Sequence, residues 1–277
     1  MRAPNPSLLS FAAIALALAI TPVDARSRKQ DADRGFRYVD AAKNMIVLAD
    51  GGRSEQTSAG TYDLTLKGLV SIDSLSQGLH LTSDKVLCQT AKAASNRMDV
   101  KHAVATGKVH IVKTVTNKGA KELTDITCSK GDLQVATAGD IVALAGPVAL
   151  RSENPAKRRT LTATGSSGTA VLEPQAKTQA KDGIRTAHLA GPVKLTLVQP
   201  AQKDAADGKP PGEARVVATS DEMDISNTGT QRTIILRGHV KIEGEGSSQM
   251  GSFSGRQATV ILNAAGEVIA VNTGDNN

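Results

Sequence analysis

The chain has 277 residues, a formal net charge of +6 and only 2% aromatic residues, with no tryptophan. That length suits one extended domain or two compact ones. The basic balance is mild and spread along the chain, with no basic stripe and no aromatics on which bases could stack. It argues against nucleic acid and fits an anionic partner such as a phosphorylated lipid headgroup or a membrane surface.

In chain order, the first feature is a targeting segment. Arg2 precedes an almost unbroken apolar run from Leu8 to Ile20, 13 residues long (20 − 8 + 1). That is signal-peptide length and falls short of the roughly 20 residues of a membrane span. Val23-Asp24-Ala25 places small residues at a cleavage site, which predicts a signal peptide over 1–25, export to the periplasm and a mature chain from Arg26. The alternative is an uncleaved signal anchor. Residues 26–35 are polar and read as a flexible N-terminus.

A short pattern then recurs at intervals of 39 to 47 residues (107 − 68 = 39; 238 − 191 = 47). It reads Gly68-Leu69-Val70-Ser71-Ile72, Gly107-Lys108-Val109-His110-Ile111, Gly146-Pro147-Val148-Ala149-Leu150, Gly191-Pro192-Val193-Lys194-Leu195 and Gly238-His239-Val240-Lys241-Ile242. Apolar residues alternate on both sides of each glycine, as in Leu64, Leu66, Val70 and Ile72. A period of two is a half-buried strand, and glycine in mid-strand suggests a kink or bulge. A second strand follows each copy, beginning at Leu79 and near Asp125, Arg159, Ala214 and Ser252. Thr82-Ser83-Asp84 recurs as Thr219-Ser220-Asp221.

No helical period follows the signal. The prediction is an all-β chain of about five stacked repeats over 36–272, with two facing antiparallel sheets and roughly 15 to 18 strands of about 5 to 6 residues. Residues 199–213, rich in proline and glycine, read as a disordered loop, and 273–277 as a tail. Pro147 and Pro192 remove ladder donors and predict edge-like or irregular third and fourth copies.

A search for chemistry returns no nucleophile elbow, phosphate-binding loop or zinc motif, so no catalytic residue, metal or cofactor is expected. His110 and His239 read as solvated outward residues. Asp84 and Asp221 occupy matching places in two copies, a structural rather than an acid–base arrangement. Cys88 lies 20 residues after Gly68 (88 − 68) and Cys128 lies 21 after Gly107 (128 − 107). In an exported protein whose repeats stack rung on rung, that spacing predicts a Cys88–Cys128 disulfide, the alternative being two separate buried thiols.

Two copies of the unit, Ala103 to Ile111 and Leu236 to Ile242, resemble the Thr-Gly-x-Val-x-Ile hallmark of the OstA-like family. Leu81-Thr82-Ser83-Asp84-Lys85-Val86 is similar to that family's Leu-x-Ala-Asp-x-Val strand. The family holds the LptA-type periplasmic lipopolysaccharide-transport bridges, the inner-membrane-anchored LptC and the N-terminal domain of LptD. The resemblance implies a V-shaped β-jellyroll of two sheets, open along one side and docked head to tail with copies of itself or with other OstA-like components. It also implies no enzymatic activity, and binding of lipopolysaccharide through its lipid A acyl chains, or of a similar glycolipid. The inward residues expected to line the groove are Val70, Ile72, Val109, Ile111, Val148, Leu150, Val193, Leu195, Val240 and Ile242. Two other readings stay open: an anchored LptC-like component, and a structural β-solenoid scaffold with a sealed core and no ligand.

Overall fold

The computed structural model describes residues 35–40, 45–58, 60–74, 79–92, 98–117, 120–134, 141–172, 184–200, 213–228, 231–246, 251–263 and 268–274. The predicted signal peptide 1–25, the polar segment 26–34 and residues 201–212 of the proline-rich stretch lie outside them.

The described residues form fourteen strands and one 3-10 turn at Pro155–Lys157. The strands are β1 (Phe36–Asp40), β2 (Met45–Ala49), β3 (Gly51–Ser58), β4 (Thr61–Ser74), β5 (Leu79–Lys92), β6 (Met98–Asn117) and β7 (Ala120–Gln134). They continue as β8 (Ile141–Asn154), β9 (Arg159–Leu172), β10 (Ile184–Pro200), β11 (Glu213–Asn227), β12 (Gln231–Gly246), β13 (Phe253–Asn263) and β14 (Val268–Thr273). All pair antiparallel in one open sheet, in chain order except that β4 pairs with both β2 and β3. Strands number fewer than the 15 to 18 expected because most are far longer than average. β6 alone runs 20 residues.

β4, β6, β8, β10 and β12 are each interrupted partway along, and the interruption is the glycine of the repeat. Register shifts fall between Lys67 and Val70, Thr106 and Val109, Ala145 and Val148, Ala190 and Val193, and Arg237 and Val240. Such an irregularity bends a strand. At Gly107 the backbone is left-handed, with φ of 74°, and the next residue, Lys108, is left-handed too at 46°. A side chain at Gly107 would overlap the carboxylate of Asp84 from the neighbouring strand. Asp221 stands in the same relation to Gly238. Hence the recurrence of the aspartate: it fills the space that a missing Cβ leaves at the bend.

Of the two expectations for Pro147 and Pro192, the irregularity is present and the edge position is not. β8 and β10 are paired on both sides, not edge-like. Their prolines sit inside the register break, where no ladder donor is required. Proline cannot take the positive φ of Lys108, so these bends are built differently, and Ser129 rather than an aspartate meets Gly146.

The bends divide the sheet into two halves. Half one holds Leu66, Val86, Ala105, Met223 and Leu236; half two holds Ile72, Leu81, Ile111 and Ile242. Residues of both halves belong to one buried cluster. Ile234 and Ile242, on opposite sides of the bend in β12, line a single small cavity of about 30 Å³. Eight residues (242 − 234) of straight strand would span about 26 Å, so β12 turns back on itself. Leu66, Val70 and Ile72 are 0% exposed in a sheet that no helix covers among the described residues.

The predicted disulfide is absent: Cys88 and Cys128 are both free and buried. Counting from the glycine hid unequal hairpins, since Asp84 follows Gly68 by 16 residues (84 − 68) while Ser129 follows Gly107 by 22 (129 − 107). Cys88 therefore lies past the bend of β5, opposite Ala103, and Cys128 before the bend of β7, opposite Val109. With β6 between them, two strand spacings separate them, about 9.6 Å. A disulfide requires α-carbons within about 7 Å.

A side chain at the bend is the direct test of this architecture. Gly107→Ala should cost about 1–3 kcal/mol by urea unfolding, from left-handed strain and displacement of Asp84. Gly251→Ala, with nothing near the added methyl, should stay within about 0.5 kcal/mol of the wild type. Equal tolerance at the two sites would remove the bend from the fold's determinants.

Candidate functional site

Alternation along each strand and register between strands together place the inward side chains in continuous rows. The principal row of half two runs Val47, Ile72, Leu81, Ile111, Ile126, Leu150, Ala163, Leu195, Ala218, Ile242 and Phe253, each the register partner of the next. It crosses the sheet from β2 to β13 without a polar residue.

Nearer the bend, the valine of each copy faces a small partner. Val70 meets Ser83, Val109 meets Cys128, Val148 meets Gly165, Val193 meets Ser220 and Val240 meets Gly255. Ser83 and Ser220 are buried at 5% and 4% exposure. Each satisfies its hydroxyl locally, Ser83 donating to the Lys85 carbonyl and Ser220 to that of Glu222. The repeated Thr-Ser-Asp thus combines a small inward serine with the aspartate of the bend.

Of the ten predicted lining residues, nine are buried and Leu150 is half-buried. They do not line an open trough in this conformation: the interior is closely packed. The small cavity lies toward the C-terminal strands, where Leu161, Leu195, Leu197, Val216, Ala218, Ile234, Ile242, Val260, Leu262 and Val268 surround it with aliphatic side chains only. Burial pushes the Cys88 thiol up to about 12 and raises that of Cys128 as well. Both are held as thiols and act as small apolar side chains.

The outer face carries an arrangement that strand parity alone did not disclose. All five histidines of the chain pair with an aspartate. The ring nitrogens of His80, His102, His110, His188 and His239 lie 2.6, 2.7, 2.9, 2.8 and 2.7 Å from Asp73, Asp132, Asp125, Asp224 and Asp221. His80 and Asp73 are direct register partners, as are His188 and Asp224. Burial alone would raise the Asp132 carboxyl, but the His102 and Lys130 contacts outweigh it and hold it below its ordinary value. Among the described residues no three His, Cys, Asp or Glu side chains gather as metal ligands. No helix among them is long and apolar enough to cross a membrane.

One inward lysine breaks the apolar pattern of β6. In β6 the alternation Val109, Ile111 continues to Lys113, half-buried and facing the same way. Its register partners are Leu79 on β5 and Thr124 on β7, and Thr124 in turn faces Ser152 on β8. Burial lowers the Lys113 ammonium from 10.5 to about 8. The sequence carried the signal, a lysine at the inward parity of a strand, and the search for catalytic motifs passed over it.

No protein-family model, curated protein or solved structure matches the chain.

A lysine whose folded pKa is lowered destabilises the fold wherever it is charged. Between pH 8 and 10.5 the unfolded chain holds the proton and the folded chain does not, so the penalty fades as pH rises through that window. Lys113→Met should therefore stabilise the protein by about 1–2 kcal/mol at pH 7, allowing for partial exposure. Its advantage over the wild type should shrink from pH 8 upward; comparing the two cancels the cysteine titrations. Thermal unfolding across pH 6 to 11 reads this, and a variant less stable than wild type at pH 7 would contradict it.

Proposed function

We propose that the chain is a periplasmic lipid-binding protein of the OstA-like, LptA-type lipopolysaccharide-transport class, exported by a cleaved signal peptide and without catalytic activity of its own. The two halves act as the two facing sheets of a V-shaped β-jellyroll. The observation that carries this reading is the principal inward row: an uninterrupted apolar ladder through eleven strands, in register from Val47 to Phe253. A ladder of that kind suits an acyl chain, each buried methylene contributing about 0.8 kcal/mol. Val70, Ile72, Val109, Ile111, Val148, Leu150, Val193, Leu195, Val240 and Ile242 are the proposed lining, reached when the halves part.

The sheet is open at both ends, which supports head-to-tail assembly with further copies or with an OstA-like partner. β1 and β3 end it on one side and β13 and β14 on the other. Val39 and Leu48 are 45% and 40% exposed at the first end, and Ile269 59% at the second. Unpaired strand edges of this sort template a neighbouring strand, and non-closing contacts extend into filaments. An inner-membrane-anchored variant of the same reading, with the N-terminal segment retained, differs only in where the chain is held.

The close packing favours a second reading, a β-solenoid scaffold whose core stays sealed and takes no ligand. Native mass spectrometry of protein extracted from its own membrane fraction separates the two. Added mass in steps of a glycolipid supports transport, and multiples of the chain mass support end-to-end assembly. A single apo mass across detergent conditions would favour the scaffold.

A further inference from the structure

Most of the inward face is explained by packing, but the row of half two that lies one step from the principal row, toward the β6–β7 connection, is not. Lys113, Thr124 and Ser152 stand side by side in it on three adjacent strands, all half-buried. Immediately beneath them lie Ile111, Ile126 and Leu150, part of the aliphatic row. Charged Lys113 has no ion pair or hydrogen bond to a carboxylate among the described residues. Arg159 and Arg232 share the inward parity, yet each is engaged within the chain. Elsewhere lysines of the glycine-centred strands, such as Lys108, Lys194 and Lys241, lie on the exposed outer side. A cation turned toward an aliphatic interior, flanked by two hydroxyls and unneutralised by any described neighbour, is a costly placement in folding terms.

We propose that Lys113, with the hydroxyls of Thr124 and Ser152, forms an anion-binding lip that selects amphiphiles with an acidic, phosphate-type headgroup, holding the headgroup while the tail enters the aliphatic row below. This rests on the reading that an acyl chain occupies the interior. The ammonium supplies a point charge and three donors, and each hydroxyl adds a donor. A charge-assisted contact of this kind is stronger than a neutral one. The burial that lowers the lysine's pKa also leaves it poorly hydrated, so an incoming anion displaces little bound water.

The test is binding to the full mature chain at pH 7, by calorimetry below micelle-forming concentrations, of dodecyl phosphate, neutral dodecyl maltoside and inorganic phosphate. The wild type should prefer dodecyl phosphate to the maltoside by about tenfold, and inorganic phosphate should bind far more weakly than either. Lys113→Met should bring the preference close to one, and Lys113→Gln provides a second neutral variant should the first not fold. Lys113→Arg should keep the preference, as should Lys194→Met, which removes the same unit charge from the outer face. A wild type without preference overturns the lip, as does a Lys113→Met protein that retains it or a Lys194→Met protein that loses as much. Inorganic phosphate binding as tightly as dodecyl phosphate would make this a free-phosphate site and also overturn it. If neither amphiphile binds the wild type, the lipid reading itself fails, an outcome distinct from equal binding of both.

Discussion

A sheet with an apolar face and no α-helix over it among the described residues has to cover that face with itself. Everything in this chain follows from how it does so. Fourteen strands in one antiparallel order would, if straight, leave rows of valine, leucine and isoleucine in water. The register breaks at the repeat glycines divide the sheet into two halves, and residues on both sides of the break in β12 line one small cavity. The bend needs a backbone that L-residues avoid, and left-handed φ values at Gly68, Gly107, Gly146 and Gly238 supply it. It also needs something to fill the space above the glycine, and the Asp50, Asp84, Ser129 or Asp221 side chain from the adjacent strand does this. Small partners stand opposite each valine beside the bend.

The same device sets the chemistry of the two faces. Alternation sends every second residue inward, so the interior is aliphatic and nearly featureless, and the outer face receives the charges. There the histidines find aspartates, a set of polar pairs along the outer side of the sheet. At its two ends the sheet has no such covering, and exposed Val39, Leu48 and Ile269 lie there. An aliphatic interior, a polar outside and open ends are properties expected of a passive carrier of apolar chains. In the proposed lip Lys113 faces inward, and its position would give the interior a chemical preference that packing alone does not.

Much of the fold was legible in the sequence because its signals are local. The glycine repeat, the period-two alternation and the inward parity of Val70, Ile72, Val109 and Val240 can be read residue by residue. Register was not legible, because it depends on hairpin lengths that differ from copy to copy. That is why Cys88 and Cys128, spaced alike from their glycines, fall on opposite sides of the bend and stay unbonded. Strand length was missed for a related reason: a bend without a turn residue cluster looks like a break between two short strands. Pro147 and Pro192 pointed to edge-like or irregular strands because proline denies a ladder donor; the irregularity is there, but inside a register break no donor is needed and the strands stay internal. The histidine–aspartate pairs depend on register too, whereas Lys113 was visible as a lysine on the inward side of an alternating strand.

The fold-back of the strands is most directly tested by methyl–methyl nuclear Overhauser effects in a selectively methyl-labelled sample. If the halves share one interior, Ile234, Val260 and Leu262 of half one should show cross-peaks to Leu195, Val216 and Ile242 of half two, which line the same cavity. If the strands instead run straight through their glycines, Ile234 and Ile242 stand about 26 Å apart. Methyl contacts would then stay confined within each half, and the shared interior would be ruled out.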